Sequence, residues 1–498
     1  MTTTFDRGPS AQEKPSGRRG SHALRWWVLA VLGVAQLMVV LDATVVNIAL
    51  PEAQRDLGFD DASRQWVITG YALAFGSLLL LGGRLSDLFG RRNTFIIGLI
   101  GFSVASAVGG AAANFEMLVA ARVGQGVFGA LLAPAALSLL TVTFTEPSER
   151  AKAFGIFGAV AGTGGAIGLL LGGALTEWAS WRWVMFVNLI FAAVALVGAV
   201  LLLARHAAGT RPKLDIPGTV VVTAALFAIV YGFSHAESEG WTDSVTLAFL
   251  VGGAALLALF VWLEMRVAHP LLPLRIVLDR TRGGAYLAVF VMGIGMFAIF
   301  LFLTYYMQLT LGYSPIMTGV AFLPMVAGMI ASSTTTPSLL LPKIGPKVAV
   351  SGGFAIAALG MAWLTQIGLD TGYTTHILPS LVLLGLGLGA AMSTAFQSAT
   401  AGVQHDDAGV ASAMINTSQQ VSGSIGTALL STIAASAAGD YLAGRTPSQI
   451  TVAQSAIESY TTSFAWAAGV FVIGAVVLAM LLPSTLPAPA EGEPVLAH

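Results

Sequence analysis

The chain contains no cysteine, so disulfides and thiolate-held metal clusters are excluded, and cysteine usage says nothing about its compartment. Charge is almost as scarce: 10% of positions are Asp, Glu, Lys or Arg, where a soluble domain carries about a quarter. With 56% hydrophobic residues and a mean hydropathy of +0.80, this composition is that of an integral membrane protein. The five lysines, Lys14, Lys152, Lys213, Lys343 and Lys347, each follow Glu, Ala or Pro, so the chain lacks the Gly-Lys-Ser/Thr loop that cradles ATP phosphates. No nucleophile, base and orienter recur in one place, and the histidines lie mostly in tails or loops. Enzymatic chemistry, a cofactor and a metal centre are therefore not expected, and nucleic acid is not expected as a partner.

Long apolar runs are what the chain has in abundance, with 57 glycines that in membrane spans allow close helix approach. Runs of roughly 18 or more residues predict spans at 26–50, 63–83, 93–113, 116–141, 151–176 and 183–204. Two more follow at 217–234 and 244–264, and six at 284–308, 316–338, 347–367, 375–400, 409–436 and 461–483. The predicted fold is all-α, with fourteen transmembrane helices divided six, two and six. The divisions are a tail (1–24), a six-helix bundle (25–204), a linking pair with its flanking loops (205–282), a second six-helix bundle (283–483) and a second tail (484–498). The apolar run after Arg25 is too long for a signal-peptide core and no small-residue cleavage site follows it, so no cleavable leader is expected. Placing both termini in the cytoplasm puts all but five of the 24 basic residues on the cytoplasmic side; Arg55, Arg64, Arg182 and Arg445 fall outside and Arg122 within a span.

An acid inside the first span is the most informative residue. Asp42, in Leu41-Asp42-Ala43-Thr44-Val45-Val46-Asn47-Ile48-Ala49-Leu50-Pro51, costs about 2.5–3.5 kcal/mol near a helix centre unless it has a partner, a wet cavity or a proton. The fourth span carries Arg122, which cannot give up its proton and needs a permanent counter-group. If the first span ends near Leu50 and the fourth begins near Glu116, the helical rise puts Asp42 roughly 12 Å and Arg122 roughly 9 Å below the outer surface. The two charges share a level and are expected to pair. Burial favours a neutral carboxyl group whereas a guanidinium beside it favours the ionised form, so such a pair suits a proton carrier. Tyr71, Gln125, Thr163, Tyr305, Tyr306, Gln308, Gln397, Asn416 and Gln419 are candidates for a broad, mostly apolar substrate cavity with a few hydrogen-bonding groups.

Two turns suggest a repeat. Gly83-Arg84-Leu85-Ser86-Asp87-Leu88-Phe89-Gly90-Arg91-Arg92 joins spans two and three, and Leu339 to Lys347, with Gly345 among basic residues, joins spans ten and eleven. Asp87 with Arg91 and Arg92 lies where helix ends meet the cytoplasm, and these residues with Gly83 and Gly90 read as a latch that holds in one conformation only. In the fifth span Gly155, Gly164, Gly168, Gly172 and Gly173 form a small-residue face with Gly164-x-x-x-Gly168 at its core. Ser180-Trp181-Arg182-Trp183 and Asn188 read as interfacial anchoring at the entry to span six.

Together these stretches resemble the major facilitator superfamily, in particular its fourteen-helix drug:proton antiporters. The Leu41–Pro51 segment resembles that family's first-helix motif, Gly83–Arg92 the superfamily loop motif, Leu118–Gly126 its buried-arginine motif, and the fifth-span glycines its antiporter motif with Leu169 where a proline is usual. The resemblance implies two bundles rocking about a central cavity and export of small, largely hydrophobic compounds coupled to proton entry across a bacterial cytoplasmic membrane. The partners it implies are a small-molecule substrate, protons and lipid, with the protein as a monomer. A proton entering across the membrane gains about 2.3 kcal/mol per 100 mV, enough for a concentration ratio of roughly fifty. Export of one endogenous metabolite is the alternative, and a receptor or channel is the alternative from another class.

Overall fold

The computed structural model describes residues 18–59, 61–203, 215–268, 270–403, 407–446 and 448–485. The tail expected at 1–24 therefore lies outside the described residues up to residue 17, as do most of the 205–217 loop and nearly all of the tail at 484–498. Among the described residues the chain is helical, with no strand. The first six helices are α1 (Arg18–Leu57), α2 (Asp61–Phe89), α3 (Arg91–Gly110), α4 (Phe115–Thr143), α5 (Pro147–Trp178) and α6 (Trp183–Leu202). Then come α7 (Ile216–Glu239), α8 (Ser244–Glu264) and a single turn, α9 (Leu274–Val277). The last seven are α10 (Arg280–Ala298), α11 (Pro315–Ala321), α12 (Leu323–Thr335), α13 (Leu341–Leu364), α14 (Leu378–Ala399), α15 (Ala408–Leu442) and α16 (Gln449–Leu481). π-turns at Ile299–Leu303 and Tyr306–Thr310 extend α10, Thr336–Leu340 joins α12 to α13, and Tyr373–Ile377 leads into α14.

Helix starts follow local chemistry. Asn114 accepts from the Met117 N–H at the head of α4, Asp243 from Val245 and Thr246 at α8, Asp279 from Thr281 and Arg282 at α10, and Ser448 from Thr451 at α16. Gly90 (φ +88°) and Gly345 (φ +71°) make the sharp turns of the two related segments, in a backbone region that side chains disfavour. The repeat seen in sequence thus has a backbone counterpart.

Among the described residues twelve helices are long and apolar enough to cross a bilayer, or thirteen if the two arms of α5, bent by 45°, count as one span. One of the twelve, Ile316–Leu364, runs for 49 residues and contains the non-helical Gly345. α5 bends without the proline that the antiporter pattern carries; adjacent glycines at Gly164 and Gly165, which weaken the helix without breaking it, lie at the bend.

Within α1–α6, α4 lies between α2 and α3, while α1 packs on α5 and α6. Within α10–α16, α14 packs on α12 and α13, and α16 packs on α13, α15 and α10. α2 and α4 meet α15, whereas α5 meets α11, α12 and α14. α7 leans on both α2 and α15 with α8 behind it. The Trp241 indole, in the α7–α8 turn, donates to Thr432 of α15 at 2.9 Å, and Thr69 of α2 meets Ser234 of α7 at 3.2 Å.

Candidate functional site

Asp42 sits midway along α1, 1% exposed, on the face that meets α4 and α6. Arg122 of α4 donates from Nη1 to Asp42 Oδ2 at 2.6 Å. Gln125, one turn further along α4, donates from Nε2 to Asp42 Oδ1 at 2.8 Å and to Ser106 Oγ of α3 at 2.8 Å. Asn188 of α6 donates from Nδ2 to the same Asp42 Oδ1 at 2.7 Å. The carboxylate therefore receives three donors, one of them charged, which offsets much of the desolvation cost of a buried ion.

Arg122 is equally enclosed, at 1% exposure. Nη1 also donates to Gln125 Oε1 at 2.8 Å and Nε to the Val67 carbonyl of α2 at 3.1 Å, while the guanidinium lies 4.4 Å from the centre of the Tyr71 ring. Its positive charge thus keeps partners that do not depend on Asp42. Tyr71 and Gln125, expected in a cavity wall, stand instead as the immediate surroundings of this ion pair.

The expectation for Asn188 is corrected. It is 1% exposed and faces Asp42, because α6 begins at Trp183 and five residues of helical rise carry it roughly 8 Å inward, to the level of the pair. Trp181 is also buried, its indole donating to Asp56 Oδ2 at 3.0 Å, and Arg182 ties that carboxylate (2.9 Å) to the Gly110 and Ala112 carbonyls that end α3. Of that group Trp183 is exposed, as an anchor in lipid headgroups would be.

At the other end of α2, Asp87 accepts from the backbone N–H of Gly409 at 3.2 Å, at the N-terminus of α15. Arg91 Nη2 stands 3.7 Å from the same Asp87 oxygen. Two glycines make the approach possible: a Cβ on Gly83 would lie 2.6 Å from the Gly409 carbonyl oxygen, and one on Gly409 would lie 2.7 Å from both Asp87 oxygens. Arg92 departs from the expected latch. It donates to the Leu203 and Val200 carbonyls at the end of α6, tying α3 to its own half.

Other contacts at this end were not anticipated. Arg150 of α5 donates to the Thr400 carbonyl at 2.8 Å, Arg275 of α9 pairs with Asp407 at 2.5 Å, and Arg282 of α10 reaches the Gly402 carbonyl at 3.4 Å. Three arginines thus hold Thr400, Gly402 and Asp407, between α14 and α15. The sequence signal was Asp407-Ala408-Gly409, an acid followed by small residues at the head of an apolar run, as at a helix N-terminus.

The α5 glycines meet two different neighbours. A Cβ on Gly164 would lie 2.4 Å from Val40 Cγ1 and one on Gly168 2.0 Å from Thr44 Oγ1, so both seat α5 on α1. Gly155 faces the opposite half, where a Cβ would stand 2.1 Å from the Ser333 carbonyl oxygen. Gly172 and Gly173 are buried.

The remaining cavity candidates divide. Tyr306 is fully buried and donates to the Gly368 carbonyl at 2.8 Å, so it forms no cavity wall in this conformation. Thr163 and Asn416 are buried and donate to carbonyls of their own helices, Ala159 and Ser412. Gln397 is buried with Oε1 lacking a hydrogen bond among the described residues, Gln308 and Gln419 are half-buried, and Tyr305 is exposed. None of the candidates lines the apolar groove of about 520 Å³ between α1, α5, α6 and α11, whose walls include Leu37, Leu41, Leu171 and Phe191.

Comparison with known proteins agrees with this architecture. The chain is 49% identical over 468 residues to the puromycin resistance protein pur8 of Streptomyces alboniger, covering 94% of this chain and 93% of that one. It is 38% identical over 424 residues to the cephamycin export protein CmcT of Amycolatopsis lactamdurans, covering 84% and 87% of the two chains. Among solved structures, the human organic anion transporter MFSD10 (TETRAN) superposes with a TM-score of 0.62 at 14% identity, covering 91% of this chain and 99% of that one, a likeness of fold. Residues 32–427 match the Major Facilitator Superfamily, and the chain belongs to that superfamily.

Proposed function

We propose that the protein exports antibiotics or similar small hydrophobic compounds across the bacterial cytoplasmic membrane in exchange for protons, with both termini in the cytoplasm. The observation that carries this reading is the Asp42 carboxylate, enclosed within the first apolar span with Arg122, Gln125 and Asn188 as its donors. An intramembrane acid marks an ion or proton pathway by default, and this one can bind a proton without leaving Arg122 unpaired. Relatives named for puromycin resistance, cephamycin export and lincomycin resistance support the substrate class.

The cycle follows from two states. Asp87 on the Gly409 N–H, and Arg150 on Thr400, join the two halves at the end assigned to the cytoplasm, so this conformation is read as closed inward. From the outer side a proton reaches Asp42. Rocking then breaks the Asp87 contact, opens the cavity inward, releases the proton and admits substrate. The division at 25–204, 205–282 and 283–483 is read as two bundles with a linking pair, and Ile316–Leu364 as two crossings broken at Gly345, since 49 residues of helix would span roughly 73 Å. Counted in that way, with α5 as one span, the crossings number fourteen.

The test is a susceptibility panel of chemically diverse antibiotics in a sensitive bacterium, with and without the gene and with a protonophore. Protection that the protonophore abolishes supports the reading; protection indifferent to it removes proton coupling. Because several relatives are named for a single compound, protection against one chemotype alone favours a dedicated exporter.

A further inference from the structure

We infer that Asn188 is a positioning residue whose amide turns with the protonation state of Asp42, donating Nδ2–H to the carboxylate and accepting through Oδ1 from the carboxylic acid. The inference rests on Asp42 as proton carrier and adds how the site accommodates both of its forms.

Among the described residues, each side chain that hydrogen-bonds to Asp42 donates. Oδ1 takes hydrogen bonds from Gln125 and Asn188, and Oδ2 takes one from Arg122. Such a shell holds an ionised carboxylate. Once a proton binds, the new O–H needs an acceptor, and an unpaired buried O–H is unfavourable. Arg122 has none to offer, since guanidinium only donates.

Gln125 is held in one orientation: its Oε1 accepts from Arg122 at 2.8 Å, and turning the amide would press its amino group against the guanidinium. Its Nε2 is further tied to Ser106. Asn188 differs. It is 1% exposed, makes a single hydrogen bond through Nδ2, and leaves Oδ1 without a partner among the described residues. Turning this amide sacrifices nothing on its far side. Of the three described side chains bonded to Asp42, it is the one that can become an acceptor at no cost to another bond.

The surroundings leave few rival acceptors. From α4 the charged group is Arg122, from α2 the titratable group is Tyr71 beneath it, from α3 comes Ser106 on Gln125, and α5 presents Gly164 and Gly168 to Val40 and Thr44 of α1. Thr44 Oγ1 is within reach of the Val40 and Leu41 carbonyls of its own helix, at 3.2 and 3.0 Å. When Asp42 is neutral, Arg122 keeps the Gln125 and Val67 oxygens and the Tyr71 ring, so only Asn188 has to move.

The test needs no substrate. In reconstituted full-length protein, infrared difference spectra are recorded across a pH titration, and the carboxylic C=O band that Asp42→Asn removes is followed. Asn188→Val leaves the acid form with no acceptor, whereas the ionised form loses one of its three donors and keeps Gln125 and the charged Arg122. Its band midpoint is expected to move toward acid by about one pH unit, a roughly tenfold loss of proton affinity. Asn188→Thr has nearly the same shape as Val, and its hydroxyl can either donate or accept, so it should restore the wild-type midpoint. An unmoved midpoint in Asn188→Val, one moved toward alkaline as loss of a donor alone would give, or Thr and Val moving alike, overturns the role of Asn188 while leaving Asp42 as carrier. If no band disappears in Asp42→Asn, the carrier reading itself falls, and this inference with it.

Discussion

A single carboxylate with three donors decides what the protein can be tested for. Asp42→Asn keeps the shape but offers one acceptor and one amino group where the carboxylate offers two acceptors, and it can no longer cycle a proton. Uphill, gradient-driven export is expected to vanish while downhill exchange of a neutral substrate persists; accumulation by the Asn variant under an imposed pH gradient would move the carrier elsewhere. Asp42→Glu should retain some transport with a displaced pH profile, since the added methylene disturbs a cluster with contacts of 2.6–2.8 Å. The same scale governs the latch. Asp87→Asn keeps one acceptor for the Gly409 N–H but loses its charge against Arg91 and the α15 N-terminus. Turnover should fall about tenfold, near 1.4 kcal/mol of barrier, with KM changed much less. Reconstituted transport at saturating and limiting substrate separates the two, and an unchanged kcat would deny the latch a part in cycling.

At the level of the helix, α5 works through what its glycines leave out. Gly164 and Gly168 let it lie on α1 against Val40 and Thr44, on a different side of α1 from the face that carries Asp42. Leu at either position overfills that contact and is expected to abolish export, by a packing strain of about 1–3 kcal/mol or more. Ala should be milder, because Val40 and Thr44 side chains can give way. Equal tolerance of Leu and Ala, judged by folded yield and transport, would mean the face meets lipid. Gly155 poses a harder problem: its neighbour is the Ser333 backbone oxygen, which no rotamer relieves. Gly155→Ala should therefore disfavour the arrangement described here relative to the opposite one. Thiol accessibility of a reporter cysteine beside Gly409 should rise in that variant, and unchanged accessibility would show the contact to be dispensable.

For the whole molecule the open quantity is the number of crossings. The absence of native cysteine makes single-cysteine topology mapping direct. If Ile316–Leu364 crosses twice, an impermeant thiol reagent applied outside should label Thr242→Cys and Asp370→Cys but reach Lys343→Cys only after permeabilisation. External labelling of Lys343→Cys in intact cells would make that segment a single span and change the orientation of everything after it. The linking pair also bears on the cycle. α7 touches both α2 and α15, so any rocking of one half against the other must slide along or carry this helix.

Much of this was legible in the chain itself. Membrane insertion follows from composition, helix positions from the length of the apolar runs, and the repeat from Gly90 and Gly345, since every side chain must meet lipid or another helix and every backbone group must bond within its own segment. The level shared by Asp42 and Arg122 was also accessible, because helical rise converts sequence number into depth. Rotation about each helix axis was not. Depth arithmetic cannot say which face a residue occupies, so Asn188 read as an interfacial residue although it is a strongly polar residue in an otherwise apolar helix. For the same reason Gln125 and Tyr71 read as cavity wall, and Arg92 as part of the latch. Facing is set by how neighbouring helices pack, through contacts between residues far apart in the chain such as Asp87 with Gly409 and Arg150 with Thr400. The sequence determined which polar groups had to be buried and at what depth; only the tertiary structure decided which of them meet, because partner choice lies in the packing between helices and not in the periodicity along any one of them.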